Sequence, residues 1–210
     1  AGALVVVHPF VNFSRQRQAA LGLVETPWVL FVDADERVPA ALAEEARAAV
    51  GSGAAAGYWI PRVNVFWGHR LRGGGWWPDH QLRLLEVERA AYDPDRAVHE
   101  VADVEGPTAQ LLEPMIHLNY ASWAEFRAKQ RGYARFEAQR RAAEGQRVRA
   151  QHLVTRPARE VWRRYVTLGA WRDGWLGVGL ALAMGWYEGR ALMALAKIGR
   201  KERHRAPHVS

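Results

Sequence analysis

Asp33 and Asp35, in the run VLFVDADERV (29–38), put two carboxylates two residues apart at the end of an apolar stretch, and Glu36 adds a third. Carboxylates crowded in this way repel one another unless a cation or hydrogen-bond donors offset their charge. In an extended strand, residues two apart project to the same side, so Asp33 and Asp35 are expected to converge on one point while Ala34 turns away. A hard divalent cation, Mg²⁺ or Mn²⁺, is the natural occupant, with water and phosphate oxygens completing its shell. A D-x-D pair alone is commonplace on protein surfaces. The apolar run in front of this one makes it more specific. The chain has no cysteine, which excludes disulfides, thiolate metal sites and cysteine nucleophiles, so any metal sits on oxygen or imidazole.

The elements that position these acids follow from hydrophobic spacing. ALVVVHP (3–9) reads as a short buried strand, FSRQRQAALGLV (13–24) as a helix and TPWVLFVDADE (26–36) as a turn followed by a second strand. Pro39 suits the first turn of a helix, PAALAEEARAAV, that stops at Gly51-Ser52-Gly53. Strand–helix–strand–helix predicts an α/β layer with a parallel sheet, in which ligands collect at the carboxyl ends of the strands. From Tyr58 to Tyr120 the pattern changes to short strands, GYWIPRVNVFW, HQLRLLEV and MIHLNY, separated by Gly and Pro clusters such as GGGWWPD (73–79).

Ser122 with Glu125 three residues later forms a capping box, opening a helix on which Trp123, Phe126, Tyr133 and Phe136 are expected to share a face. The formal charge of +7 is uneven: Phe126 to Arg172 holds 13 Lys/Arg against 3 Asp/Glu, so this half is expected to face an anionic partner. GWLGVGLALAMGWY (174–187) is apolar but shorter than the ~20 residues a bilayer span needs. With basic residues on both sides, it reads as an element lying at an anionic membrane surface, the alternative being a buried helical hairpin. The composition, 49% hydrophobic and 24% charged, is that of a folded globular protein rather than a disordered one. The opening AGALVVVHPF has no basic n-region or cleavage site, so no signal peptide is expected.

NFSRQRQAAL, PWVLFVDADERVP, GGGWWPDHQLRLL, AVHEVADVEG, IHLNY (read as a His-rich turn) and RDGWLG, in that order, resemble the family 2 glycosyltransferases of GT-A fold. The bacterial lipopolysaccharide-core and related cell-envelope sugar transferases are the group most alike. The resemblance implies an α/β, Rossmann-like GT-A core over 1–121, lacking its N-terminal nucleotide-binding part, and a helical, membrane-associated region over 122–210. It implies a metal-dependent, inverting transfer from a nucleotide-sugar, a UDP-sugar by preference, to a cell-envelope glycolipid. The protein would then be cytoplasmic and peripheral on the inner face of the membrane. Asp33 and Asp35 correspond to the family's metal-binding pair, with Mg²⁺ or Mn²⁺ between them and the donor diphosphate. Arg15, Gln16, Arg17 and Arg83 fall to the donor or acceptor side. Inversion in one displacement needs a general base, for which Glu100 is the first candidate by chain order and Asp79 the second. His99 is a candidate metal ligand, and Trp76 and Trp77 suit stacking on a sugar ring.

Two rival readings use the same residues. One is a non-catalytic membrane-surface module that keeps a partial transferase fold. The other is a nucleic-acid binder built on the arginines and aromatics of 123–172, which no RRM, helix-turn-helix or KH signature accompanies. No nucleic-acid partner is therefore expected.

Overall fold

A computed structural model of the chain describes residues 2–94 and 101–205, with side chains described as far as Lys201. The chain forms two compact units, Ala1–Val63 with Asp79–His117, and Asn64–Pro78 with Leu118–Ser210.

Helix α1 (Phe13–Leu21) starts where the Asn12 side chain accepts from the Arg15 amide at 2.8 Å. Strands β1 (Trp28–Leu30) and β2 (Glu36–Arg37) follow, then helix α2 (Ala40–Ser52), which ends at Gly53 in the left-handed conformation. The remaining strands are β3 (Gly57–Phe66), β4 (His69–Arg70), β5 (Asp79–Glu86), β6 (Ala90–Ala91), β7 (Asp103–Val104), β8 (Thr108–Gln110) and β9 (Met115–Tyr120). The main sheet runs β1-β5-β3-β9-β2, with β4 and β8 also pairing with β3.

Strand β3 shows how the first unit builds its core. Tyr58 and Ile60 pack with Leu42 and Ala46 of α2, whereas Trp59 joins Leu21 of α1, Leu82, Leu85 and Tyr92. Successive residues point to opposite faces of a strand, so α2 covers one face of the sheet and α1 the other. Burial on both faces accounts for the uninterrupted buried run Leu82–Leu85 in β5.

Three expectations change. The sheet is mixed α/β but largely antiparallel: β1 with β5, β3 with β5 and β2 with β9 are antiparallel, and β3 with β8 is parallel. The helix between β2 and β3 does not make them neighbours, because β9 lies between them. ALVVVHP forms no strand: Val7 is 94% exposed, and no described strand pairs with it, so its apolar side chains have no sheet to rest on. MIHLNY forms strand β9, as its pattern predicts, so the turn that the family resemblance suggested at IHLNY does not hold.

The second unit packs around Phe66, Leu71, Tyr120, Phe126, Leu180 and Tyr187, with Phe66 and Tyr120 edge-to-face at 4.7 Å. Helix α3 (Trp123–Ala143) opens as expected, Ser122 Oγ accepting from the Glu125 amide, although Glu125 reaches back to the Ala121 amide. Its buried face is Phe126, Gln130, Ala134 and Ala138. The aromatic stripe does not hold together, because Tyr133 and Phe136 are exposed. Helix α4 (His152–Trp162) is followed by α5 (Gly174–Arg205), a single helix that continues through Glu188 because Arg141 grips that carboxylate at 2.7 and 2.8 Å.

Candidate functional site

Asp33 and Asp35 lie between strands β1 and β2 rather than on one strand. Strand β1 ends at Leu30, and residues 33–36 form a turn in which the Glu36 amide donates to the Asp33 carbonyl at 2.9 Å. Asp33 and Asp35 therefore turn to different partners instead of alternating along one strand. Asp33 accepts from Arg17 at 2.9 Å and from Arg83 at 2.5 Å. Asp35 lies 3.3 Å from His117 Nε2, and its side chain stays 45% exposed.

Glu36 is the buried centre of this cluster. One of its oxygens accepts from Arg62 at 3.1 Å and Arg83 at 3.2 Å, while the other accepts from the Asp33 amide at 2.9 Å. A buried carboxylate is tolerated only when it is paired and hydrogen-bonded in this way. Arg62 also forks onto Asp79 at 2.9 and 2.7 Å, across the β3–β5 register in which those two residues stand opposite. Gln81 donates to the other Asp79 oxygen at 2.8 Å.

The electrostatics follow from this pairing. Burial works to raise the pKa of Asp33, but Arg83 and Arg17 outweigh it and hold the carboxylate below its ordinary value. Burial and then Arg62 lower the pKa of His117, against the pull of Asp35, which favours the neutral imidazole near neutral pH. Beside the cluster, Arg17, Trp59, His80, Gln81, Arg83 and Val101 line a cavity of about 290 Å³. Arg83 Nε is buried and has no partner among the described residues.

The cluster suits a metal in a limited way. Among the described residues, no group of three or more His, Asp or Glu side chains forms a ready cage. The Asp33 oxygens are engaged by arginine, whereas Asp35 keeps an exposed carboxylate. Mg²⁺ usually binds through one or two carboxylates with phosphate and water completing its shell, and Asp35 fits that single-carboxylate role.

Of the other residues singled out in the sequence, Arg15 donates to the Pro94 carbonyl at 3.2 Å and Gln16 lies 3.3 Å from His8. His99 and Glu100 lie outside the described residues. Trp76 and Trp77 belong to the second unit. There Trp76 packs edge-on against Phe66 at 4.9 Å with the Arg164 guanidinium over its ring, and Trp77 is half-buried. The glycines before them have a structural reason, since a Cβ at Gly73 would overlap the Gly169 carbonyl, and the Asp173 carboxylate accepts from the Arg72 and Gly73 amides at 2.7 and 3.0 Å.

Arg62, Gln81 and His117 were not among the residues expected to act, and Glu36 had no assigned role. A signal existed for the first: an arginine inside an otherwise apolar strand must find a buried acid. GYWIPRVNVF carries one such arginine at Arg62, and HQLRLLE carries another at Arg83.

No protein-family model matches the chain. It is 29% identical over 178 residues to the lipopolysaccharide core biosynthesis glycosyltransferase LpsC of Rhizobium meliloti (strain 1021), a match covering 80% of this chain and 63% of that protein.

Proposed function

We propose that the chain is a glycosyltransferase, or the greater part of one, that moves a sugar from a nucleotide-sugar to a cell-envelope glycolipid of lipopolysaccharide-core type. The likeness to LpsC carries this reading and supports glycosyltransfer in general. The Asp33–Arg17–Arg83 cluster supports its finer part. Arginine forks match phosphate oxygens, and Arg17 and Arg83 line the cavity beside Asp33. In this reading Asp33 positions the two arginines for the donor diphosphate, UDP by preference, and Asp35 offers the carboxylate for Mg²⁺ or Mn²⁺. When bound there, the cation would offset negative charge on the departing nucleoside diphosphate.

Inversion in one step forms a bond from the acceptor oxygen to the anomeric carbon as the bond to the diphosphate breaks, and the acceptor proton passes to a carboxylate. Asp79 is a poor recipient, because Arg62 and Gln81 hold its oxygens. Glu100 remains the assigned base, on chain order within the family resemblance. The test is transfer from radiolabelled UDP-sugars to deacylated core oligosaccharide. Glu100→Gln should cut turnover by roughly 10² to 10⁴ with donor affinity kept. A Glu100→Gln protein that transfers at the parental rate refutes the base assignment, and a parent that neither transfers sugar from nor binds any donor in the panel refutes the reading.

A further inference from the structure

Helices α4 and α5 carry a face that no other described element of their unit covers. They run antiparallel and touch at glycine: a Cβ at Gly185 would overlap Val161 and lie 3.0 Å from the Pro157 carbonyl, and one at Gly189 would lie 3.4 Å from the Pro157 ring. Trp162 stands one residue beyond Val161, and Trp186 one residue beyond Gly185. Each residue turns a helix by about 100°. In an antiparallel pair, the same step carries both side chains to the same side of the plane through the two axes, so Trp162 and Trp186 share an outer face. On α5, intervals of seven and four residues return roughly to one line, which adds Trp175, Leu182 and Met193. Exposure agrees: Trp175 is 90%, Trp162 65% and Trp186 63% accessible.

The charge around this face has one sign. Glu160 is held by Arg163 and Arg164, Glu188 by Arg141, and Asp173 by two backbone amides. Arg159, Arg190, Lys197 and Arg200 make no ion pair among the described residues. Towards the end of α5, Arg147, Arg149 and Arg200 surround a cleft of about 550 Å³ with Val148, Leu153 and Leu195 in its walls.

We propose that the outer face of the α4–α5 pair docks on a bilayer bearing anionic phospholipid headgroups. Exposed tryptophans beside aliphatic side chains, rimmed by Lys and Arg, are what an interfacial helix needs: apolar area for the acyl boundary, indoles at headgroup depth and cations for phosphate. Among the described residues, no helix is long and apolar enough to cross a membrane, so the pair lies on the surface. A second copy of the chain is the poorer occupant, since a twofold contact through this face would press like-charged rims together.

The proposal stands apart from the sugar-transfer reading, and its test needs no donor. The chain is floated with vesicles of phosphatidylcholine alone and with vesicles containing phosphatidylglycerol. Binding is expected to the anionic vesicles and to weaken as salt rises. Trp162→Ser with Trp175→Ser and Trp186→Ser should lower binding by about tenfold or more, with circular dichroism reporting whether the variant folds. Arg190→Glu with Lys197→Glu, which leaves the aromatics in place, should lose the preference for phosphatidylglycerol. The proposal fails if the parent does not float with anionic vesicles at low salt, or if both folded variants bind as it does. It also fails if the parent instead forms a concentration-dependent dimer that the tryptophan variant abolishes.

Discussion

Glu36 is the most constrained residue of the candidate site. Its side chain is fully buried, and two guanidiniums and a backbone amide converge on it. Breaking a buried pair from one side leaves charge uncompensated, at a cost of about 3–5 kcal/mol. Glu36→Gln should therefore lower stability on the order of 3 kcal/mol in urea denaturation, whereas Asp35→Asn, at a half-exposed carboxylate, should stay within about 1 kcal/mol of the parent. A Glu36→Gln protein as stable as the parent would mean that Arg62 and Arg83 are held well enough by Asp79 and Asp33 alone. The acids were legible in the sequence because three of them close an apolar run. Their partners were not, because Arg83 reaches Asp33 only through the β1–β5 pairing, in which the Phe31 amide donates to the Arg83 carbonyl. Which strands become neighbours is a tertiary outcome that spacing along the chain does not carry.

At the scale of elements, the apolar strands GYWIPRVNVF, HQLRLLE and MIHLNY and the helices after Asn12, Pro39 and Ser122 were legible, since period and capping chemistry are local. ALVVVHP has the composition of a strand but no described strand to pair with, and β1 is shorter than its apolar run because the turn at 33–36 interrupts it. In the GGGWWPD loop the tryptophans suggest ligand stacking, whereas the glycines answer to packing and backbone conformation. Gly73 meets the Gly169 carbonyl within its own unit, and Gly74 and Gly75 have φ of 68° and 81°. Gly73→Ala forces backbone against backbone, which no rotamer relieves, so it should destabilise by at least the ~1–3 kcal/mol typical of overpacking. Gly53→Ala, where the added methyl meets nothing within 4 Å but φ is 63°, should cost about 1 kcal/mol. Thermal melts of the two variants decide it. Equal losses would show that the 168–170 turn yields to the methyl group.

On the scale of the whole molecule, the chain spans 63% of the length of LpsC, and two surfaces of different chemistry are proposed to act. One is the arginine-and-carboxylate cluster of the first unit, proposed to hold a donor diphosphate. The other is the aromatic, cation-rimmed face of the α4–α5 pair, proposed to rest on lipid, where a glycolipid acceptor would be found. The central claim is that the cluster around Asp33 and Asp35 receives a nucleoside diphosphate together with a divalent cation. Its most direct test is isothermal titration of UDP and UDP-sugars into the chain with and without Mn²⁺. The account predicts binding by the parent that depends on Mn²⁺ and is abolished in Asp33→Asn and in Asp35→Asn, because one carboxylate fewer leaves phosphate repulsion unbalanced or the arginines unplaced. Unchanged Mn²⁺-dependent affinity in both variants, each shown to be folded, would contradict it and make the acidic cluster a purely structural device.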